Sequence, residues 1–116
     1  LFENNGDNTF TKHFLPFETQ VSAIFAIETQ DFNSDGFPDL FLVGNNYEIS
    51  TQLGRLDASH GTVLINDKNG FFETYKKEMP DISGAARDIK EICINGELHL
   101  IVTFNNGSPT ILKVNN

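Results

Sequence analysis

One turn-forming stretch occurs twice in this chain. Leu1-Phe2-Glu3-Asn4-Asn5-Gly6-Asp7-Asn8-Thr9-Phe10 returns as Val63-Leu64-Ile65-Asn66-Asp67-Lys68-Asn69-Gly70-Phe71-Phe72, with Asn66 standing where Asn4 stands and Phe72 where Phe10 stands. Each copy is a short apolar run, a turn rich in Asn, Asp and Gly, and an aromatic that opens a second run, which is the pattern of a β-hairpin. Both copies run on to a proline, Pro16 and Pro80, and a truncated third copy closes the chain at Leu112-Lys113-Val114-Asn115-Asn116. The intervening segments align as well: residues 26–46 lie over residues 86–106, with Gly36 on Gly96 and Asn45-Asn46 on Asn105-Asn106. Strand-and-turn units that return in this way predict an all-β chain of stacked antiparallel sheets. The period is roughly that of propeller blades, whose repeats run about 40–50 residues.

The expected strands follow from the same reading. Residues 1–4 and 10–15 form an outer pair, residues 22–29, 40–44, 62–66 and 72–77 a full set of four, and residues 87–94, 98–104 and 110–114 a further three. In blade terms, residues 1–116 form a single β-propeller fragment of antiparallel four-stranded blades, one complete and two partial. Residues 1–16 supply outer strands of a preceding blade, residues 21–80 a complete blade, and residues 84–116 part of a following one. The near-continuous apolar run Leu40-Phe41-Leu42-Val43 suits an inner strand covered on both faces. The alternating stretches 9–15 and 71–79, with their charges, suit outer edges. Residues 45–61 read as a surface loop. Residues 85–92 carry helix-compatible Ala85-Ala86 and four charges, but their alignment with Ala26-Ile27 favours a strand. Eleven Phe, no Trp and nine Gly agree with aromatic strands punctuated by turns.

Within the full set lies Asp31-Phe32-Asn33-Ser34-Asp35-Gly36-Phe37-Pro38-Asp39. Calcium is a hard cation that takes six to eight oxygens at about 2.3–2.6 Å, and alternate side chains of a tight loop can converge to supply them. Asp31, Asn33, Asp35 and Asp39 offer side-chain oxygens at positions 1, 3, 5 and 9, Gly36 permits the turn, and Phe37 at position 7 offers its backbone carbonyl. The first six positions match the start of an EF-hand. The glutamate that motif requires at position 12 is replaced by Leu42, and the flanks Ile24-Phe25-Ala26-Ile27 and Leu40-Phe41-Leu42-Val43 read as strands, so this loop joins strands and not helices. The alternative is a polar turn whose Asp and Asn side chains bond only their own backbone. In the aligned second copy Glu91, Cys93, Asn95 and His99 fall on the four side-chain ligands, so the glycine turn is kept while most hard ligands are lost. One calcium site is expected, not two.

A formal net charge of −8 opposes a nucleic-acid surface, whose affinity comes largely from Lys and Arg on phosphates. Apolar runs fall far short of the ~20 residues of a membrane span, and the absence of an initiating Met suggests that upstream sequence has been removed. Cys93, the only cysteine, lies between two isoleucines and reads as a buried, inert thiol. The candidates for catalysis, His13, His60, His99, Cys93 and the serines, sit in no recognisable motif. Asp57-Ala58-Ser59-His60 are neighbours in one loop, whereas triads converge from distant segments. His13 is expected to face solvent, and His99 to be a satisfied sheet residue.

The calcium-type loop, its flanking strands through Asn45 and the repeated Asn-rich hairpin turns ending in Phe together resemble FG-GAP/VCBS-type β-propeller repeats, the calcium-loop blades also found in integrin α-subunit heads. The resemblance spans nearly the whole chain, and Gly54-Arg55-Leu56-Asp57-Ala58-Ser59 is similar to loops of large secreted bacterial multi-repeat proteins of this class. It implies a calcium-clamped propeller that is secreted, periplasmic or at the cell surface, with Asp31, Asn33, Asp35, Phe37 and Asp39 as metal ligands. Its role would be non-catalytic: an interaction or adhesion module for a protein or glycan. The alternative is an accessory carbohydrate-binding segment of a secreted polysaccharide-handling enzyme, with exposed aromatics such as Tyr47 stacking on sugar rings. The degraded second loop and missing blades depart from the family pattern. Because each blade covers its neighbour's apolar face, self-association through open blade edges is expected.

Overall fold

The computed structural model describes residues 1–45, 60–75 and 82–114. They form an all-β chain of three antiparallel sheets in which each strand pairs with its neighbour in sequence. β1 (Phe2–Asn4) pairs with β2 (Phe10–Lys12); β3 (Ala26–Gln30), β4 (Asp39–Val43), β5 (Thr62–Asn66) and β6 (Phe72–Thr74) make a four-stranded meander; β7 (Ala86–Ile94), β8 (Glu97–Phe104) and β9 (Gly107–Lys113) make a three-stranded one. The only helical turn among the described residues is the 3-10 turn Phe17–Gln20. No helix among them is long and apolar enough to cross a membrane.

The core forms where two sheets meet. On β4 the expected burial of both faces is observed: Phe41, Leu42 and Val43 are all buried, and only Leu40 is partly open. Phe41, Val43 and Val63 from the four-stranded sheet pack with Ile82, Ala86, Ile89, Leu100, Val102 and Leu112 in one cluster. The contact runs along β3 and β7, which lie side by side in the same direction. At one end the Arg87 guanidinium stacks 4.3 Å from the centre of the Phe25 ring, and at the other Gln30 donates a hydrogen bond to Glu91. Each fully buried Phe, Leu, Ile or Val contributes roughly 1.5–3 kcal/mol relative to exposure. Gly44 is required where β4 leaves the core, because a Cβ there would lie 2.2 Å from the carbonyl oxygen of Ala23.

The two aligned turns share one backbone geometry. Asn4 and Asn66 each accept a hydrogen bond from the N–H two residues on, at 2.9 Å in both. Asn5 N–H donates to Thr9 O as Asp67 N–H donates to Phe71 O. The left-handed positions coincide, Gly6 with Lys68 and Asn8 with Gly70. Glycine and a non-glycine residue have exchanged places between them, so the side-chain hydrogen bonds of Asn and Asp sustain the shape with glycine at either position.

Several expectations are corrected. The first strand of the full set starts at Ala26, not Ser22, because residues 17–20 coil and the Ser22 hydroxyl donates to Asn45 Oδ1 at 2.8 Å. The step from Ala26 to Ala86 is longer than the about 40–50 residues of a typical blade. Cys93 is exposed, not buried. It lies near the tip of the β7–β8 hairpin, past the buried core positions Ile89 and Leu100. His13 does not face solvent freely: its side chain is 12 % exposed, it meets Glu3 at 2.8 Å, and its ring meets Phe71 edge-on at 5.3 Å. The first hairpin is thereby tied to the β5–β6 turn. Most of the expected 45–61 loop, with Tyr47, residues 54–59 and the acid and hydroxyl of the 57–60 stretch, lies outside the described residues, as does the end of the third turn copy at 115–116.

Candidate metal centre

The loop containing all five expected ligands connects β3 to β4. Gln30 pairs with Asp39, so the ladder opens just before Asp31 and closes at Asp39. Ser34 and Gly36 take left-handed backbone angles of 59° and 87°, which coil the intervening chain inward. The acidic and amide side chains organise that coil. Asp31 accepts from Asp35 N–H at 3.0 Å and Gly36 N–H at 2.8 Å through its two oxygens. Asn33 Oδ1 accepts from Asp35 N–H at 3.1 Å, while its Nδ2 donates to Asp35 Oδ2 at 3.0 Å. Asp35 Oδ1 in turn accepts from Phe37 N–H at 2.9 Å.

Asp39 has a different task. It is fully buried and accepts Phe32 N–H and Asn66 N–H, one on each oxygen and both at 2.9 Å. Its carboxylate therefore joins the loop to the end of β5. Asn66 returns the tie by donating from Nδ2 to Pro38 O at 3.2 Å. Residues beyond the motif thus complete the site, and Asn66 is visible in the sequence only as a turn residue.

Nothing in the sequence singles out Lys68, yet it belongs to the site. Its ammonium lies 3.4 Å from Asp35 Oδ2 and 5.2 Å from the centre of the half-open Phe37 ring. Partial desolvation opposes the charged form of Asp35, but the Phe37 N–H, the Asn33 amide and the Lys68 ammonium outweigh it and hold the carboxyl below the usual aspartate range. Asp67, next to Lys68, is likewise held low by the N–H groups of Asn69 and Phe71.

In chemical terms, Asp31, Asn33 and Asp35 share one hydrogen-bonded coil that Asp39 anchors, and Phe37, whose N–H joins that coil, would add its carbonyl to a cation site. Carboxylate oxygens carry more than one acceptor position each, so their bonds to the loop N–H groups leave lone pairs for a cation. No three His, Cys, Asp or Glu side chains among the described residues already stand in a metal-holding group. Calcium sites also draw on amide and main-chain carbonyl oxygens, as the five-residue set here would.

The aligned second copy contains no such loop. Asn95 and Gly96, at φ 53° and 82°, make a two-residue hairpin turn, and the other three aligned positions are absorbed into the ladder, with Glu91 opposite Leu100, Cys93 opposite Leu98 and Ile92 opposite His99. His99 is satisfied as expected, its Nδ1 3.0 Å from Glu97 O. Comparison of the chain with protein-family models, with curated proteins and with solved structures finds no match.

Proposed function

We infer that this chain is a non-catalytic, calcium-stabilised interaction module built from β-propeller-type blades, of the FG-GAP/VCBS kind, acting outside the cytoplasm. The observation that carries the reading is the coil of Asp31, Asn33, Asp35 and Phe37 bolted to β5 by buried Asp39. A cation there would cross-link β3, β4 and β5 through one point. The ordered meander β3 to β6 and the parallel course of β3 and β7 at the sheet contact support neighbouring blades, whose first strands stand side by side. Exposed Phe2, Phe10, Phe14 and Phe17 around the first hairpin support self-association or a protein partner. A second reading, an accessory carbohydrate-binding segment, is favoured by a cleft lined by Arg87, Phe104, Asn105, Asn106 and Ser108.

Calcium that binds only the folded loop adds RT ln(1 + [L]/Kd), about 2.7 kcal/mol at a hundredfold excess over Kd. Thermal melting in calcium and in chelator is the test, with magnesium as a control and native mass spectrometry for the count. One ion per chain and a higher melting temperature in calcium are expected. Melting indifferent to chelator refutes a structural calcium, and two tightly held ions refute the single site.

A further inference from the structure

A cleft of about 510 Å³ opens between the lead-in to β7 and the β8–β9 turn. That volume lies within the ~300–1,000 Å³ of small-molecule pockets. It sits at the opposite end of β3 and β7 from the 31–39 loop, since Arg87 is beside Phe25 and Asn45 whereas Gln30 reaches Glu91. Its chemistry comes from Arg87, the Phe104 ring, the amides of Asn105 and Asn106 and the hydroxyls of Ser108 and Thr110. Among the described residues no acidic one lines it, in a chain whose formal net charge is −8.

Among the described residues Arg87 has no counter-ion. Its guanidinium rests on the Phe25 ring and gives one N–H to Asn45 O at 3.0 Å, and the ion pairs of the described residues lie elsewhere. Asn45 is itself fully buried and fixed by the Ser22 hydroxyl and by its own bond to Gly84 O at 3.2 Å. Arginine has five N–H donors in a rigid fork, so a positioned set remains for an anion, and a carboxylate matches that fork with two bonds. Phe104 adds an apolar surface. Glycine at 84 and 107 lets the chain approach this residue, because a Cβ at either would come within 3.0 Å of its side chain. An aromatic wall suits the C–H face of a sugar ring, and the amide and hydroxyl rim suits its hydroxyl groups.

We propose that the Arg87–Phe104 cleft binds a carboxylate-bearing saccharide, the carboxylate on Arg87 and the sugar face on Phe104. This rests on the carbohydrate-binding reading and is independent of the calcium site. The test is amide NMR of the chain, in calcium and in chelator, titrated with glucuronate, galacturonate, galactose, glutarate and inorganic phosphate. Uronates should move the Gly84 and Asn105 to Ser108 resonances saturably, with galactose, glutarate and phosphate each binding about tenfold or more weakly, the scale of one charge-assisted contact. Arg87→Gln should weaken uronate binding about tenfold or more. Ser108→Phe at the exposed rim should block the cleft while the melting temperature is unchanged, which guards against a folding artefact at Arg87. Galactose equal to uronate overturns this proposal while leaving sugar binding intact, and phosphate equal to uronate overturns it in favour of a bare anion patch. No binding by any sugar overturns both it and the carbohydrate reading, and leaves the calcium experiment untouched.

Discussion

Asp39 is the residue on which the loop and the four-stranded sheet jointly depend, and its removal tests that dependence without any metal. Its two oxygens, fully buried with the side chain, each accept a part-buried backbone N–H at 2.9 Å, from Phe32 in the loop and from Asn66 at the end of β5. In Asp39→Ala both donors lose their partner, and an unsatisfied buried donor costs about 1–3 kcal/mol. Relief of the desolvation of a fully buried carboxylate offsets part of this, so the net loss is placed at about 2–4 kcal/mol. With an unfolding entropy of ~2.1 cal/mol/K per residue, a loss of that size lowers the melting temperature of a domain of this length by roughly 8–16 °C. Asp39→Asn keeps one acceptor but turns an NH2 toward the other N–H donor, so it should fall between wild type and Asp39→Ala. Calorimetry or urea melts in chelator measure both variants. If Asp39→Ala in chelator melts within ~2 °C of wild type, the buried carboxylate is not the fastener, and the reasoning that ties the loop to β5 fails.

Further outcomes follow from other contacts. Gly44→Ala forces a methyl to within 2.2 Å of a backbone oxygen that has no side-chain freedom to yield. Overpacking of this kind costs about 1–3 kcal/mol or more, and a melt of Gly44→Ala equal to wild type would contradict the close approach. Asp35 and Asp67 are held below their ordinary value of 3.8 in the folded chain. Their contribution to stability is therefore complete above that value and is lost as pH falls through the lower folded-state values, because the unfolded chain takes up the protons first. Asp35→Asn should make the acid limb of the melting temperature shallower, and an unaltered limb below the ordinary value of 3.8 would remove Asp35 from that account. Cys93 should react with a thiol reagent in the native chain nearly as fast as in denaturant, and strong native protection would contradict its exposure.

Much of the fold is legible in the order of residues alone. Strand identities come through because the apolar runs are short, bounded by Asn, Asp and Gly, and repeated, so that residues 40–44, 62–66 and 98–104 emerge as β4, β5 and β8 to within a residue or so. The five loop residues are legible because alternate oxygen-bearing positions around a glycine are a local pattern. Cys93 is not, because flanking isoleucines say nothing about whether a second sheet reaches that level of the hairpin. Nor is the environment of His13, whose ring is covered by Phe71 from a turn distant in sequence.

The chain's own residues determined the turns, the left-handed positions and the order of strands, since these rest on interactions spanning a few residues. The same local bonds part the two aligned glycine turns, since Asp31, Asn33 and Asp35 coil the first around their side chains whereas Asn95-Gly96 closes a two-residue hairpin. Tertiary structure alone decided which groups become neighbours: Asp39 with Asn66, Asp35 with Lys68, and Arg87 with Phe25 and Asn45. Those pairings depend on how the sheets stack, and stacking is governed by the burial of Phe41, Ile89, Leu100 and Val102 against one another, a long-range condition that no local pattern encodes.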